Sequence, residues 1–159
     1  ACASAGAEVT HVDSAKAMVE RAGENVRLSG LTDAKVRYII DDCLKFVRRE
    51  IKRGRKYDAI IMDPPSFGRG PNGEMWKIED NLFSLIRETK EVLSDNPLFY
   101  LLNSYTTGLQ PTVMANILKL TLPKNAIIDA DEIGLATEEG LVLPQGCTAF
   151  ATFANRCTD

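Results

Sequence analysis

Apolar positions along the chain alternate between helical spacing and strand spacing. Period-two or continuous apolar runs predict strands, and apolar residues three and four apart predict helices. Read in this way, the sequence predicts strands at residues 8–12, 35–40, 57–62, 97–102, 126–133 and 147–154, and helices at residues 14–29, 42–53, 79–94 and 111–122. The run from Tyr57 to Met62 is nearly continuous, which is typical of a parallel strand buried on both faces.

The order of these elements predicts an α/β fold. Alternating strands and helices favour a doubly wound, mostly parallel sheet of the Rossmann-like kind. The last two strands have no helix between them, so we expect an antiparallel edge strand at the C-terminal end of the sheet. A chain of 159 residues fits one domain with one core.

Residues 63–77 interrupt this alternation and predict a long loop. The segment contains Gly68, Gly70, Pro71, Asn72 and Gly73, and loops of this length in compact domains are usually functional or disordered. We expect Trp76 to anchor the loop and the turn after the fourth long strand to span residues 103–108.

Composition and charge exclude several classes of protein. The chain is 45% hydrophobic and 26% charged, with a net charge of −3, which does not indicate a dedicated nucleic-acid-binding domain. No apolar stretch approaches the ~20 residues of a membrane span. The four cysteines form no C-x-x-C pair, so neither a metal site nor a disulfide framework is indicated, and a reducing, cytoplasmic setting is expected.

Ligands of doubly wound sheets bind at the carboxyl ends of the central strands. This rule selects four places along the chain: Asp13-Ser14, Asp41-Asp42-Cys43, residues 63–67, and Asn103-Ser104-Tyr105. Three of the four carry carboxylates. The candidate ligand site therefore lies at this edge of the predicted sheet.

Asp63-Pro64-Pro65-Ser66-Phe67 is the most specific of these motifs. Two prolines remove two backbone donors and fix two φ angles, which leaves carbonyl acceptors held rigidly at a strand end. Phe67 offers a flat face on which an extruded base can stack. The alternative interpretation is that the prolines only end the strand and that Phe67 is a core residue.

Three successive predicted strands end in acidic residues, and the third is followed by Pro-Pro-Ser-Phe. This pattern resembles that of the class I S-adenosylmethionine-dependent methyltransferases. Three stretches are similar to the branch that contains bacterial large-subunit ribosomal RNA methyltransferases of the cytosine-5 type: residues 5–13, residues 63–70 and Leu143-Pro-Gln-Gly146. The resemblance implies a methyltransferase with S-adenosylmethionine as cofactor and RNA, expected to be ribosomal, as partner.

The resemblance also implies roles for individual residues. Asp13 with Ser14 would bind the ribose hydroxyls of the cofactor, and Asp41 or Asp42, beside Cys43, would bind its adenine. At each of these places a helix N-cap is the alternative role, and one of Asp41 and Asp42 is expected to be a cap. Catalysis is assigned to Asp63, Pro64, Pro65 and Phe67, with Asp63 also at the cofactor. The residues assigned to the substrate are Ser66, Phe67, Arg69, Asn103 and Tyr105.

Two features depart from the pattern of that branch. The cysteine that attacks the base would follow the strand at residues 98–102, where this chain has Asn103-Ser104-Tyr105. A pyrimidine C5 is a weak nucleophile without a covalent thiolate adduct, so the target atom stays open. Cys147 is expected to be packed. The glycine-rich turn and the strand before it are also missing, so we expect residues 1–159 to be the C-terminal part of one catalytic domain.

Other features favour structural roles. Residues 1–7 read as the last turns of a helix that ends at Gly6, His11 as a packed or surface residue, and the basic residues 48–56 as a solvated helix end. An RNA-phosphate role of that basic run is the alternative. The alternative functions are a methyltransferase-like module that binds RNA or protein without catalysis and, ranked last, a nicotinamide-dependent dehydrogenase.

Overall fold

The computed structural model describes residues 1–69 and 73–153, and the chain divides into two compact units, Ala1–Arg53 and Gly54–Asp159. The first unit contains β1 (Val9–Asp13), α1 (Lys16–Leu28), β2 (Val36–Ile40) and α2 (Cys43–Lys52). The second contains β3 (Ala59–Met62), β4 (Phe67–Arg69), β5 (Met75–Lys77), α3 (Ile78–Thr89), a 3-10 turn (Lys90–Val92), β6 (Phe99–Ser104), α4 (Pro111–Thr121), β7 (Ala126–Ala136) and β8 (Val142–Phe153).

In the first unit, β1 and β2 form a parallel pair in the register Val9↔Val36 to Asp13↔Ile40. Residues 1–7 form turns that close with a hydrogen bond from Ala7 N to Cys2 O at 3.1 Å, and Gly6 has a φ of +87°. This left-handed glycine is typical of a helix C-terminus, as the sequence predicted.

Helix α2 buries Phe46, Val47 and the charged residue Glu50. Glu50 is 1% exposed, and its carboxylate contacts Arg53 Nη1 at 2.9 Å and Arg37 Nη2 at 3.5 Å. Burying an unpaired carboxylate would be costly, so these partners are what make its burial possible. Arg53, which belongs to the predicted basic run at residues 48–56, therefore has a structural role as an ion-pair partner of Glu50.

The second unit is built on a four-stranded sheet in the order β3-β6-β8-β7. Strand β3 runs parallel to β6, and β8 runs antiparallel to both β6 and β7. The hydrophobic core of this unit joins the sheet to α3 and α4 and consists of Ile78, Leu82, Ile86, Leu93, Tyr100, Leu102, Met114, Leu118, Leu122, Ala149, Ala151 and Phe153.

The predicted α/β fold is confirmed, with two differences in the sheet. The last strand does not lie at the edge, because β8 inserts between β6 and β7 and leaves β7 outermost. The parallel strands also fall into two ladders, β1-β2 and β3-β6.

The final hairpin is longer than the sequence predicted. Strands β7 and β8 pair from Ala126↔Phe153 to Ala136↔Val142, so Leu143-Pro-Gln-Gly146, expected as a turn, belongs to β8. Pro144 is tolerated because β6 pairs with β8 only as far as Cys147, and a register shift lies next to Gly134, its partner in β7. Ala154, the predicted end of this strand, lies outside the described residues.

Two boundaries within the second unit also differ from the predictions. The expected loop at residues 63–77 contains the antiparallel pair β4 and β5, which three-residue strands around a glycine do not reveal by periodicity. Gly70, Pro71 and Asn72 of that loop lie outside the described residues. Strand β6 extends to Ser104, so Asn103 and Ser104 are strand residues rather than the start of a turn.

No helix in the described ranges combines the length and apolar content that a membrane span requires. Within the same ranges, no group of three or more histidine, cysteine, aspartate or glutamate side chains is arranged to hold a metal ion.

Candidate functional site

The candidate methyl-transfer loop begins where β3 ends. Because β3 and β6 are parallel and Met62 pairs with Leu102, residues 63–66 and 103–106 leave the sheet at the same edge. Pro64 is buried, whereas Asp63 and Pro65 are exposed. Pro64 therefore packs into the protein, and the residues on either side of Pro64 are exposed to solvent.

Three hydrogen bonds hold this loop in place. The indole Nε1 of Trp76 donates to the carbonyl of Pro65 at 2.6 Å, and the backbone N–H of Ile78 donates to the carbonyl of Ser66 at 3.1 Å. The hydroxyl groups of Ser66 and Thr106 share a hydrogen bond at 2.7 Å. Ile78 is fully buried, so one of the three contacts ties the loop directly to the core.

These contacts confirm one prediction and correct another. Trp76 anchors the loop, as expected. The expectation that both proline carbonyls are available as acceptors is too simple, because the Pro65 carbonyl already accepts the indole N–H. Thr106 was missed, since a lone threonine in a turn gives no sequence signal for a partner 40 positions earlier.

The end of β6 brings a second group of residues to this edge. Asn103 is half-buried, Tyr105 is 59% exposed, and Ser104 is buried with its Oγ accepting from Thr106 N at 3.1 Å. Gly146 of β8 packs against this turn so closely that a Cβ there would lie 2.4 Å from Ser104 O. Only glycine fits, and the backbone of β8 thereby supports the positions of Ser104 and Tyr105.

Phe67 and Arg69 lie on β4, immediately after the loop, and both are exposed. Phe67 is 54% exposed, so the alternative that it is a core residue is wrong.

Burial raises the pKa of the Asp63 carboxyl above its ordinary value. The cause is desolvation, which disfavours the charged form.

In the first unit, Asp13 lies at the end of β1 and its Oδ1 accepts from Ala15 N at 2.7 Å. Asp41 N donates to the carbonyl of Asp13 at 3.0 Å, so the ends of β1 and β2 are hydrogen-bonded to each other. Ser14 is exposed between Asp13 and α1. The alternative that Asp13 is the helix N-cap is wrong, because the N-cap of α1 is Ala15 and has no side-chain cap hydrogen bond. The hydrogen bond from Ala15 N closes a turn before the helix and occupies one carboxylate oxygen of Asp13.

Asp41 and Asp42 have different partners. Asp42 is the N-cap of α2, with Oδ1 accepting from Lys45 N at 2.8 Å, which confirms that one of the pair is a cap. Asp41 Oδ1 accepts from Asp42 N at 2.9 Å, and its Oδ2 forms an ion pair with Arg49. This ion pair could not be predicted from the pattern of residues along the chain.

The cysteines do not form an obvious nucleophile. Cys43 Sγ lies 3.8 Å from Val12 O, and burial together with the carboxylates of Asp13 and Asp42 raises the pKa of its thiol. Cys147 packs against the core, as predicted, and burial with nearby acidic side chains raises the pKa of its thiol as well. Both thiols therefore favour the protonated, weakly nucleophilic form. Cys157 lies outside the described residues.

His11 contacts Tyr38 edge-to-face, with ring centroids 6.5 Å apart, which agrees with its prediction as a packed residue.

No protein-family model matches the chain. The crystal structure of an S-adenosylmethionine-dependent methyltransferase from Agrobacterium tumefaciens is 36% identical and has a TM-score of 0.85, over 94% of this chain and 50% of that protein. Ribosomal RNA large subunit methyltransferase I of Erwinia tasmaniensis is 43% identical over 65 residues, which are 41% of this chain and 16% of the relative. The protein of the same name from Klebsiella pneumoniae is 40% identical over 60 residues, 38% of this chain and 15% of the relative.

The chain thus spans half of the structural relative, and its matched segment is a small part of the curated relatives. Fold and sequence similarity nevertheless agree with the resemblance seen in the motifs. The chain has the class I S-adenosylmethionine-dependent methyltransferase fold and resembles, in sequence, the large-subunit ribosomal RNA methyltransferases.

Proposed function

We propose that the protein carrying this chain transfers a methyl group from S-adenosylmethionine to a base of RNA, with ribosomal RNA in the cytoplasm as the expected substrate. The observation that carries the proposal is the Asp63-Pro64-Pro65-Ser66 loop, clamped at the carboxyl end of β3 by Trp76 and Thr106. The 36% identity with a methyltransferase over 94% of this chain supports it.

The first unit has side chains whose chemistry suits the cofactor. Asp13 uses Oδ1 for a backbone N–H, and a carboxylate has lone pairs for further donors, so it can accept from ribose hydroxyls, with Ser14 beside it. Asp41 and Asp42 both stay candidates for the adenine amine, because Asp42 caps α2, Asp41 is paired with Asp42 N and Arg49, and a carboxylate keeps lone pairs for a further donor. Cys43 would be only a backbone neighbour of the residues that bind the adenine. When bound, S-adenosylmethionine supplies a methyl group already activated on a sulfonium.

The protein's own contribution is then mainly positioning. Asp63 would accept a hydrogen bond from the cofactor or from an amine of the target base, and the remaining Pro64 carbonyl would hold the same group. Phe67 would stack on the base, with Ser66, Arg69, Asn103 and Tyr105 around it. Alignment of this kind accounts for a large part of catalysis when the bond to be broken is already activated.

The proposal does not include a covalent cysteine adduct. Asn103-Ser104-Tyr105 stands where the cytosine-5 branch has its nucleophile, and the thiols of Cys43 and Cys147 have raised pKa values. A target atom with its own lone pair, such as a nitrogen, fits these residues better than a pyrimidine C5.

The test is methyl transfer from tritiated S-adenosylmethionine to ribosomal RNA from a strain that lacks the gene. We expect Asp63→Asn to reduce turnover at least about a hundredfold, because the negative charge is lost and one of the two acceptor oxygens is replaced by an NH2 donor. Asp95→Asn, an exposed residue near the opposite end of β6, is the matched control and should be fully active. Equal turnover of Asp63→Asn and the wild type would refute the site. RNA binding without any transfer would instead indicate the non-catalytic module.

A further inference from the structure

Strands β4 and β5, which follow the candidate loop, share one exposed face. Only Phe67 and Arg69 of this face belong to the candidate site. In the β4-β5 register, Phe67 pairs with Lys77 and Arg69 pairs with Met75. Directly opposed residues of an antiparallel pair, and residues two apart on one strand, project from the same face. These four residues therefore form one surface, here called the hairpin face.

Burial agrees with this assignment. All four residues of the hairpin face are exposed, and the intervening Gly68 and Trp76 are partly buried. Phe67 is 54% exposed and Met75 is 49% exposed, so both large apolar side chains of the hairpin face are accessible to a ligand. A hairpin of two three-residue strands gains little stability from exposing them.

The hairpin face is also positively charged. Arg69 and Lys77 both lie on it, and neither forms an ion pair with another residue in the ranges 1–69 and 73–153. The chain as a whole has a net charge of −3, and Glu74, Glu79 and Asp80 flank β5, so the two positive charges belong to the hairpin face itself and not to its surroundings.

The opposite face of the hairpin fixes it to the candidate loop. Trp76 lies over Gly68, and its indole N–H donates to the carbonyl of Pro65 at 2.6 Å. The hairpin is consequently hydrogen-bonded to the loop that begins at Asp63.

We propose that the hairpin face binds the unpaired RNA strand that flanks the target base. Arg69 and Lys77 would contact phosphates, and Met75 would extend the apolar surface of Phe67, which stacks on the target base, toward the next base of the strand. Flat apolar side chains interleaved with cations are what single-stranded nucleic acids require, because stacking and phosphate contacts supply most of their binding free energy. The inference rests on the proposed function and adds Met75 and Lys77 to it.

The exposed ring of Phe67 favours unpaired RNA over a duplex as the ligand of the hairpin face. In an A-form duplex the base faces are stacked on one another, and proteins contact mainly the backbone and the 2′-hydroxyls. An exposed aromatic platform has no partner there, so a duplex of the same sequence should bind more weakly.

The test compares two double variants with the same loss of charge. Arg69→Gln/Lys77→Gln removes both cations of the hairpin face, and Lys119→Gln/Lys124→Gln removes two exposed lysines at the end of α4 and just after it, away from residues 63–66. Binding of a fluorescent single-stranded RNA of about 12 nucleotides is measured by anisotropy as the salt concentration is raised. Each lost phosphate contact lowers the slope of log Kd against log salt by about 0.7, so the hairpin variant should lose about 1.4 and the control none.

Phe67→Ala tests the platform separately. We expect binding to the single strand to weaken between about 5-fold and about 150-fold, with little change in the salt slope. Phe67→Tyr, which keeps the ring, should bind like the wild type. Thermal unfolding of every variant shows whether the fold is intact.

The outcomes separate this inference from the proposed function. If the wild type methylates RNA while Arg69→Gln/Lys77→Gln and Phe67→Ala bind it unchanged, the hairpin face is not the binding surface and the enzyme assignment stands. Equal losses in both charge variants, or equal binding of duplex and single strand, would also overturn it. If the wild type neither binds nor methylates RNA, both proposals fail.

Discussion

Gly146→Ala is the substitution with the clearest expected consequence. Gly146 has a φ of +138°, a conformation that side chains rarely adopt, and a Cβ there would lie 2.4 Å from Ser104 O and 3.1 Å from Tyr105 Cα. Real Cβ contacts are essentially never shorter than 3.0 Å, so β8 and the end of β6 must separate by roughly 0.6 Å. The atoms in the way belong to the backbone, which cannot rotate aside as a side chain can.

Two costs add at this position. A non-glycine residue in such a backbone conformation costs about 1–3 kcal/mol, and overpacking of a well-packed site costs about 1–3 kcal/mol. We expect Gly146→Ala to lower the free energy of unfolding by about 2–6 kcal/mol. Since Ser104 and Tyr105 are displaced, the variant should also bind RNA less well under conditions where it is folded.

Gly140→Ala is the matched control. Gly140 has a φ of +79°, but nothing lies within 4 Å of a Cβ built there, so this variant has only the conformational cost of about 1–2 kcal/mol. Urea unfolding followed by circular dichroism measures both variants. If Gly146→Ala is no more destabilising than Gly140→Ala, the close approach of β8 to β6 does not exist as described.

Three further predictions concern the candidate site. Thr106→Val removes the hydroxyl partner of Ser66 and should lower the free energy of unfolding by about 0.5–1.5 kcal/mol. The variant should lower kcat more than it raises KM, and Thr106→Ser should restore kcat. Unchanged kcat in the valine variant would exclude a positioning role. Cys147→Ala should retain methyl transfer, because a thiol with a raised pKa is protonated at neutral pH, and loss of transfer in a folded variant would show that the cysteine acts as a nucleophile. Asp63→Asn should be at least as stable as the wild type at pH 7, because burial raises the pKa of the Asp63 carboxyl in the folded state and its charged form therefore opposes folding. In urea unfolding, the difference in stability should vanish as the pH falls below 3.8, the ordinary pKa of this carboxyl. A wild type that is more stable than the variant at pH 7 would contradict this reasoning.

The order of strands and helices could be predicted from the sequence, because hydrophobic periodicity is a local property. The apolar run at residues 57–62 contains β3, and Pro111 opens α4 where the pattern resumes helical spacing. The expectation that this strand is buried on both faces is wrong, because Ile61 is 54% exposed. Prediction failed where elements are short. Strands β4 and β5 have three residues each, too few for a period to show.

The candidate site was predictable only in part. The position of Asp63 after an apolar strand, and the two prolines behind it, follow from the sequence and a general rule about the carboxyl ends of strands. The partners of that loop do not, since Thr106 is 40 residues from Ser66 and is brought to it by the parallel pairing of β3 with β6.

The sequence by itself determined the alternation of elements, the acidic residues at strand ends and the resemblance to methyltransferases, because each depends on residues close together in the chain. The tertiary structure decided that β8 inserts between β6 and β7, that Asp41 is paired with Arg49, and that Gly146 supports the turn at Ser104. These features depend on strand register and on contacts between distant segments, and a one-residue shift in register would change all the cross-strand neighbours while leaving the local pattern the same.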